Sequence, residues 1–309
     1  MISYRVAPFL LLIISACVPQ SAPLDSAGDV SQAEVVQPVR APLPAATAAP
    51  TAPVPARAAV FTFAGELTQG GWIRGEAPAG AVRVTMDGVP VSLDGQGRFF
   101  AAFDRDAGPS ATLDAVLADG RTVRSPLAVA SRDWNIERIN VARRPSGASE
   151  AFLRVRRPEL SAIGAARSRV TDATGWQQDF IWPVKGRISG RFGSQRIYRG
   201  EPGSYHTGID ITSGTSGTPY VAPADGVVVL AVDDFSLEGK LLILDHGNGL
   251  NSAFLHSSRL YVTEGETVRQ GQHIGDIGSS GRATGPHLHW GLKWNHARLD
   301  PLLFTGPMG

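Results

Sequence analysis

The chain has 309 residues, long enough for about two domains, and its 29 basic against 28 acidic side chains leave a net charge of +1, which gives no case for a polyanion-binding protein. Glycine at 35 and proline at 22 point to turns and short strands, and a charged fraction of 18% is low for a chain dominated by solvated helices. With one cysteine, a thiolate-rich structural zinc site is excluded.

Residues 1–16 hold Arg5, then an apolar run from Val6 to Ile14, then Ser15 and Ala16. That run is too short for the roughly 20 helical residues that span a bilayer, and it is read as a signal peptide with small residues before the cut. Ile14-Ser15-Ala16-Cys17 resembles the lipobox of bacterial lipoproteins. The resemblance implies an acylated Cys17 as the mature N-terminus and explains the only cysteine. Val18 after it looks like the outer-membrane sorting pattern. Residues 17–57 form a tether: Val18 to Arg57 has ten alanines and eight prolines in forty residues and no hydrophobic periodicity.

Over residues 58–131 short alternating runs such as Val82–Met86 and Arg98–Phe103 are separated by the hairpin signals Asp87-Gly88, Asp94-Gly95 and Asp119-Gly120. They predict a small antiparallel β-sandwich of immunoglobulin-like type, with spacing or wall binding as its role. Residues 132–179 read as a linker with a final strand and a helical segment, for which Pro158 fits a helix start and Leu160, Ile163 and Val170 follow helical spacing. Arg154 to Arg157 have acidic neighbours and no interleaved aromatics, so no nucleic-acid partner is expected.

Residues 180–309 read as β throughout, with strands over Val227–Val232, Lys240–Asp245 and Leu250–His256 and turns at Gly239, Asp245–Gly249 and Gly278–Gly281. All seven histidines lie at or beyond His206. In His206-Thr-Gly-Ile-Asp210 a strand would put His206, Gly208 and Asp210 on one face, with glycine leaving room between two ligands. In the same way His287, His289 and Gly291 would point one way while Leu288, Trp290 and Leu292 pack into a core. Imidazole and carboxylate are usual zinc ligands, and a catalytic site needs three of them with a fourth position open. Four imidazoles, counting the lone His256, and one carboxylate exceed that need, which leaves two histidines for acid/base or oxyanion work.

These motifs, framed by Asp179–Val184, Gly217–Pro219, Ala222–Gly226 and Gly285–His289, resemble the lysostaphin-like metallopeptidases, the M23 or LytM-type family, over residues 180 to 303. The resemblance implies an antiparallel β-sheet domain with a groove and one Zn2+ at its floor. It assigns His206, Asp210 and His289 to the metal and His256 and His287 to catalysis. One departure is Phe254, where the family often has tyrosine. His246 lies near the family's usual glycine-rich hairpin and is expected to help shape the site, while His273 and His296 are expected on the surface. The implied activity is a zinc endopeptidase that cuts peptide cross-links of peptidoglycan, with a meso-diaminopimelate bridge as substrate. It would be anchored through Cys17 at the periplasmic face of the outer membrane, with other envelope proteins as partners. The competing readings are a non-enzymatic LytM-type activator of wall amidases, in which zinc ligands have been lost, and a wall-binding module. Because every site candidate lies beyond residue 205, residues 58–131 are expected to be dispensable for cleavage in a chain starting near Arg157.

Overall fold

The structure, a computed structural model, describes residues 58–142 and 149–308. The signal segment, Cys17 and the tether lie outside the described residues. Strands β1 (Thr62–Gly65), β2 (Trp72–Glu76), β3 (Ala81–Met86), β4 (Val89–Val91), β5 (Arg98–Ala102), β6 (Ser110–Leu117) and β7 (Thr122–Ala128) come first. They form two sheets, ordered β1-β2-β5 and β4-β3-β6-β7. Alternation drives them: along β6, Ala111, Leu113, Ala115 and Leu117 are buried while the residues between them are not. Asp87 and Gly88 both take positive φ, 51° and 81°, the two-residue hairpin turn that Asp-Gly favours. So tight a turn keeps β4 beside β3, whereas a constant-type immunoglobulin domain places its fourth strand on the other sheet.

After the sandwich come β8 (Ile136–Ile139) and α1 (Glu150–Arg167). The expected final strand, β8, does not extend the sandwich; it pairs in parallel with β10 (Gln195–Tyr198), far along the chain. Two expectations for the helix are corrected. Pro158 does not open α1 but lies inside it, and the start is set by Ser149, whose Oγ accepts from Phe152 N. The proline is tolerated because it is exposed, so the Arg154 carbonyl that loses its partner can turn to water. Of the expected apolar positions Ile163 packs against the large sheet, whereas Leu160 is 52% and Val170, beyond the helix, 94% exposed; Glu159 and Ala166 are buried. The helix docks through polar bonds as well as through Ile163 and Ala166. Arg156 donates to both oxygens of Glu238 at 2.6 Å, and Glu159 accepts from Ser236 N and Ser236 Oγ at 2.6 Å. Burial would raise the Glu159 carboxyl, but the Ser236 and Arg156 bonds win and hold it below its ordinary value.

The remaining strands are β9 (Arg187–Gly190), β11 (Glu201–Tyr205), β12 (Ile209–Thr212), β13 (Pro219–Val221), β14 (Gly226–Phe235), β15 (Gly239–Asp245) and β16 (Leu250–Ser257). They continue with β17 (Arg259–Leu260), β18 (Thr267–Val268), β19 (His273–Asp276), β20 (Leu288–Trp294) and β21 (Ala297–Leu299), and α2 (Leu302–Thr305) closes the described fold. The large sheet has the order β18-β14-β15-β16-β20-β12-β9, with β21 paired to β20. One face packs Leu242, Phe254, Leu288, Trp290 and Leu292 into the main core. Its opposite face carries Leu241, Ile243 and Ala253, which lie with Ala166 and Ile163 of α1. The fold is thus mainly antiparallel β, as expected.

Sandwich and large sheet share one core. Phe99 of β5 packs on Phe61, whereas its neighbour Phe100 packs on Trp72, Trp294 and Phe304. Successive residues of β5 thereby fill cores on both sides. Trp72 Nε1 donates to Leu303 O at 2.9 Å and Arg132 pairs with the buried Asp300 at 2.7 Å.

Candidate metal centre and catalytic histidines

Asp210 and His289 are cross-strand partners on β12 and β20. His206 lies in the connection before β12 rather than in the strand the alternation suggested, because the β-paired register begins only at Ile209. It nevertheless turns back onto Asp210. His206 Nε2, Asp210 Oδ1 and His289 Nδ1 lie 2.9–3.1 Å from one another. Two close approaches depend on glycine. A Cβ at Gly208 would sit 2.9 Å from His289 Nε2, and one at Gly190 would clash with the Asp210 carboxylate.

The hydrogen bonds assign the protons. His206 Nδ1 faces Arg191 O at 3.1 Å; a carbonyl only accepts, so Nδ1 carries the proton and Nε2 presents a lone pair. With both rings neutral and His289 Nδ1 unprotonated, three acceptors converge on one point, which is the arrangement of a cation site. Their spacing is close to the roughly 3.3 Å that tetrahedral zinc bonds of about 2.0–2.1 Å would set between ligands. Two imidazoles and a carboxylate also leave a fourth position open. The residues present fit a zinc ion. Burial alone would raise the Asp210 pKa, but the bonds and charges of His206 and His289 hold it far below the usual carboxylate range. At His206 burial acts downward and Asp210 more than offsets it, while at His289 burial prevails and lowers the value.

His287 and His256 flank this cluster. His287 Nδ1 donates to Gly285 O at 2.8 Å, and its Nε2 lies 3.7 Å from Asp210 Oδ1. His256 Nδ1 donates to Ser280 O at 2.9 Å. Both rings thus have Nδ1 locked as donor and Nε2 free as a base. Their centroids are 4.9 Å apart. Burial, reinforced by the nearby His287 and His289, lowers the His256 pKa and keeps the ring neutral.

Alternation along β16 would aim His256 at the core with Ser252 and Phe254. It does not do so. Leu242 pairs with Phe254 but Lys240 with Ser257, so β16 carries an extra residue, and His256 takes a left-handed φ of 67°. The bulge swings the ring onto the groove side beside His287.

His246 is corrected to a core residue. It is fully buried; Nδ1 donates to Asp225 O and Nε2 accepts from Ser252 Oγ, each at 2.7 Å. Trp290 Nε1 donates to the same hydroxyl at 3.3 Å. Burial lowers its pKa to about 4. Phe254 is also fully buried, its ring stacked on Tyr220. His273 and His296 are exposed, as expected. The carbonyls of Arg191, Ser280 and Gly285, which fix the three rings, had no signal in the sequence, since every residue type carries one.

The sequence profile of peptidase family M23 matches residues 204–301. A lipoprotein NlpD/LppB homolog of Pseudomonas aeruginosa is 36% identical over 130 residues, 42% of this chain and 39% of that protein. The peptidoglycan DD-endopeptidase ShyA of Vibrio cholerae is 38% identical over 117 residues, 36% of this chain and 26% of that protein. The chain therefore spans well under half the length of these curated relatives. Among solved structures, a Pseudomonas aeruginosa chain assigned to peptidase M23 is 29% identical, with a TM-score of 0.58, over 78% of this chain and 96% of its own.

Proposed function

We propose, since residues 204–301 match the model of peptidase family M23, that this protein is a zinc-dependent endopeptidase that hydrolyses peptide cross-links of peptidoglycan, with a meso-diaminopimelate bridge as substrate. The observation that carries the reading is the convergence of His206 Nε2, Asp210 Oδ1 and His289 Nδ1 with two further histidines, His256 and His287, at their side. Zinc held by these three residues would supply Lewis acidity toward the scissile carbonyl and an attacking water. His256 and His287 do the rest. With Nδ1–H tied to a carbonyl, each Nε2 can take a proton from the water and then, as imidazolium, donate to the developing oxyanion or the leaving amine. No side-chain nucleophile is required.

The two curated relatives named above support an envelope setting, one named as a lipoprotein and one as a peptidoglycan endopeptidase. On this reading Cys17 is acylated and anchors the protein at the periplasmic face of the outer membrane, with residues 17–57 as tether, 58–131 as spacer and 180–309 as the peptidase domain. Mass spectrometry of a mature N-terminus other than modified Cys17 would overturn the anchor. The amidase-activator reading is disfavoured because none of the three ligand positions has been lost.

The test measures zinc content and cleavage of purified sacculi on the same samples. Alanine at His206, Asp210 or His289 is expected to remove metal and activity together. His256→Ala and His287→Ala are expected to keep the metal and lose about 10²-fold or more in turnover. Loss of zinc in His287→Ala as complete as in His289→Ala would refute the division of roles.

A further inference from the structure

A cavity of about 760 Å³ opens beside His289, floored by the large sheet and roofed by α1. Along β20, His289, Gly291 and Lys293 all line it, as alternate residues on one face do. Gly291 leaves the floor open between the metal centre and Lys293, roughly 13 Å along the strand at about 3.3 Å per residue. Leu241, Ile243 and Leu255 make the floor apolar, while its far end is cationic.

Exposed Arg298 lies over the Tyr205 ring, whereas Arg167 and Lys293 have no ion-pair partner among the described residues. Lys293 and Arg298 face each other across β20 and β21, a like-charge opposition that costs stability. Arg167 reaches in from the roof, and its Nε is buried with no hydrogen-bond partner among the described residues. Burial, together with repulsion from Arg298, pushes the Arg167 guanidinium down to about 10. Lys293 is lowered by burial, Arg167 and Arg298 against a weaker pull from Asp104. Two carboxylates are near, and both are engaged. Glu238 is held by both arms of Arg156, and Asp104 Oδ2 accepts the Arg298 backbone N–H at 2.9 Å. Partly buried cations without partners are costly unless an anion joins them.

We propose that this end of the groove is a carboxylate-binding subsite of the peptide substrate, anchored by Arg167 and Lys293. The proposal rests on the hydrolase reading above for the identity of the peptide. An apolar channel ending in a guanidinium fork and an ammonium suits an extended peptide with a free carboxylate. At about 3.3–3.6 Å per residue, that carboxylate belongs to a residue three to four positions from the cut bond. Cross-linked stem peptides carry free carboxylates along their length, so specificity here is for an acidic peptide and against its amidated form.

The test compares a cross-linked stem peptide carrying its free carboxylates with the same peptide amidated at the carboxylate three to four residues from the cut bond. Wild type, Lys293→Met and Arg167→Gln are assayed with zinc bound. Wild type is expected to show a KM about tenfold or more lower for the acid than for the amide, with kcat within about twofold. Both variants should raise the KM for the acid alone, which abolishes the discrimination. Calorimetric binding of the two peptides to wild type with zinc removed gives a readout that needs no cleavage. Selective binding without cleavage would count against the hydrolase reading and leave the subsite standing. Equal affinity for acid and amide overturns the subsite, as does inorganic phosphate binding as tightly as the acid peptide.

Discussion

His256 combines two demands that a regular strand does not meet together. Its φ of 67° lies where a non-glycine residue is strained, at a cost of roughly 1–2 kcal/mol. That strain aims the ring at the cluster of His206, Asp210 and His289. His256→Gly is therefore expected to lose as much activity as His256→Ala while remaining about 1 kcal/mol more stable, as urea denaturation would read. Buried His246 predicts an acid effect of definite sign. Its pKa falls from 6.5 to about 4 on folding, so between those values the unfolded chain binds the extra proton. Stability is intact above pH 6.5 and falls as pH drops toward 4, by on the order of 3 kcal/mol for this group. His246→Gln is expected to flatten that part of the stability–pH curve; an unchanged slope would assign the acid lability to other groups. The sequence made legible the five residues that the structure brings together, because residue type and spacing mark them as candidates. It misplaced the surroundings of His256 and His246, because a bulge and a buried hydrogen-bond chain are set by cross-strand register, which one strand's own letters do not contain.

At the scale of elements, strands were legible wherever one face met the core and the other did not. Leu288, Trp290 and Leu292 are each at most 1% exposed, and they alternate with His289 and Gly291 as the pattern required. The helix was harder to read because its contact face mixes polar side chains with Ile163 and Ala166. Arg156 and Glu159 dock α1 where apolar periodicity would look for leucines, and Pro158 imitates a start signal two turns into the helix. Glu159→Ala would leave Ser236 N–H and its hydroxyl, and one Arg156 donor, without their acceptor. It is expected to cost about 2 kcal/mol and to speed hydrogen exchange in α1 far more than in β15. Equal acceleration in both would mean that helix and sheet open as one unit.

For the molecule as a whole, the expected independence of residues 58–131 does not follow from the location of the chemistry. A chain starting near Arg157 begins inside α1 and removes Trp72 and Phe100, which cover Phe304 and Trp294. It is expected to bind hydrophobic dye and elute as aggregates in size-exclusion chromatography; a monodisperse, active product would show the sandwich to be dispensable. The contact between Trp72 and Leu303 spans 231 positions of sequence, and this has a consequence for assembly. Contacts between segments so far apart form late, since a long loop must close before they are rewarded. During synthesis the sandwich strands emerge well before β20 and α2, with the outer face of β5 bare until those segments arrive. The interval in which the chain is open to aggregation is therefore set by how quickly its last quarter is delivered, and holdase chaperones would find their binding surface at Trp72 and Phe100.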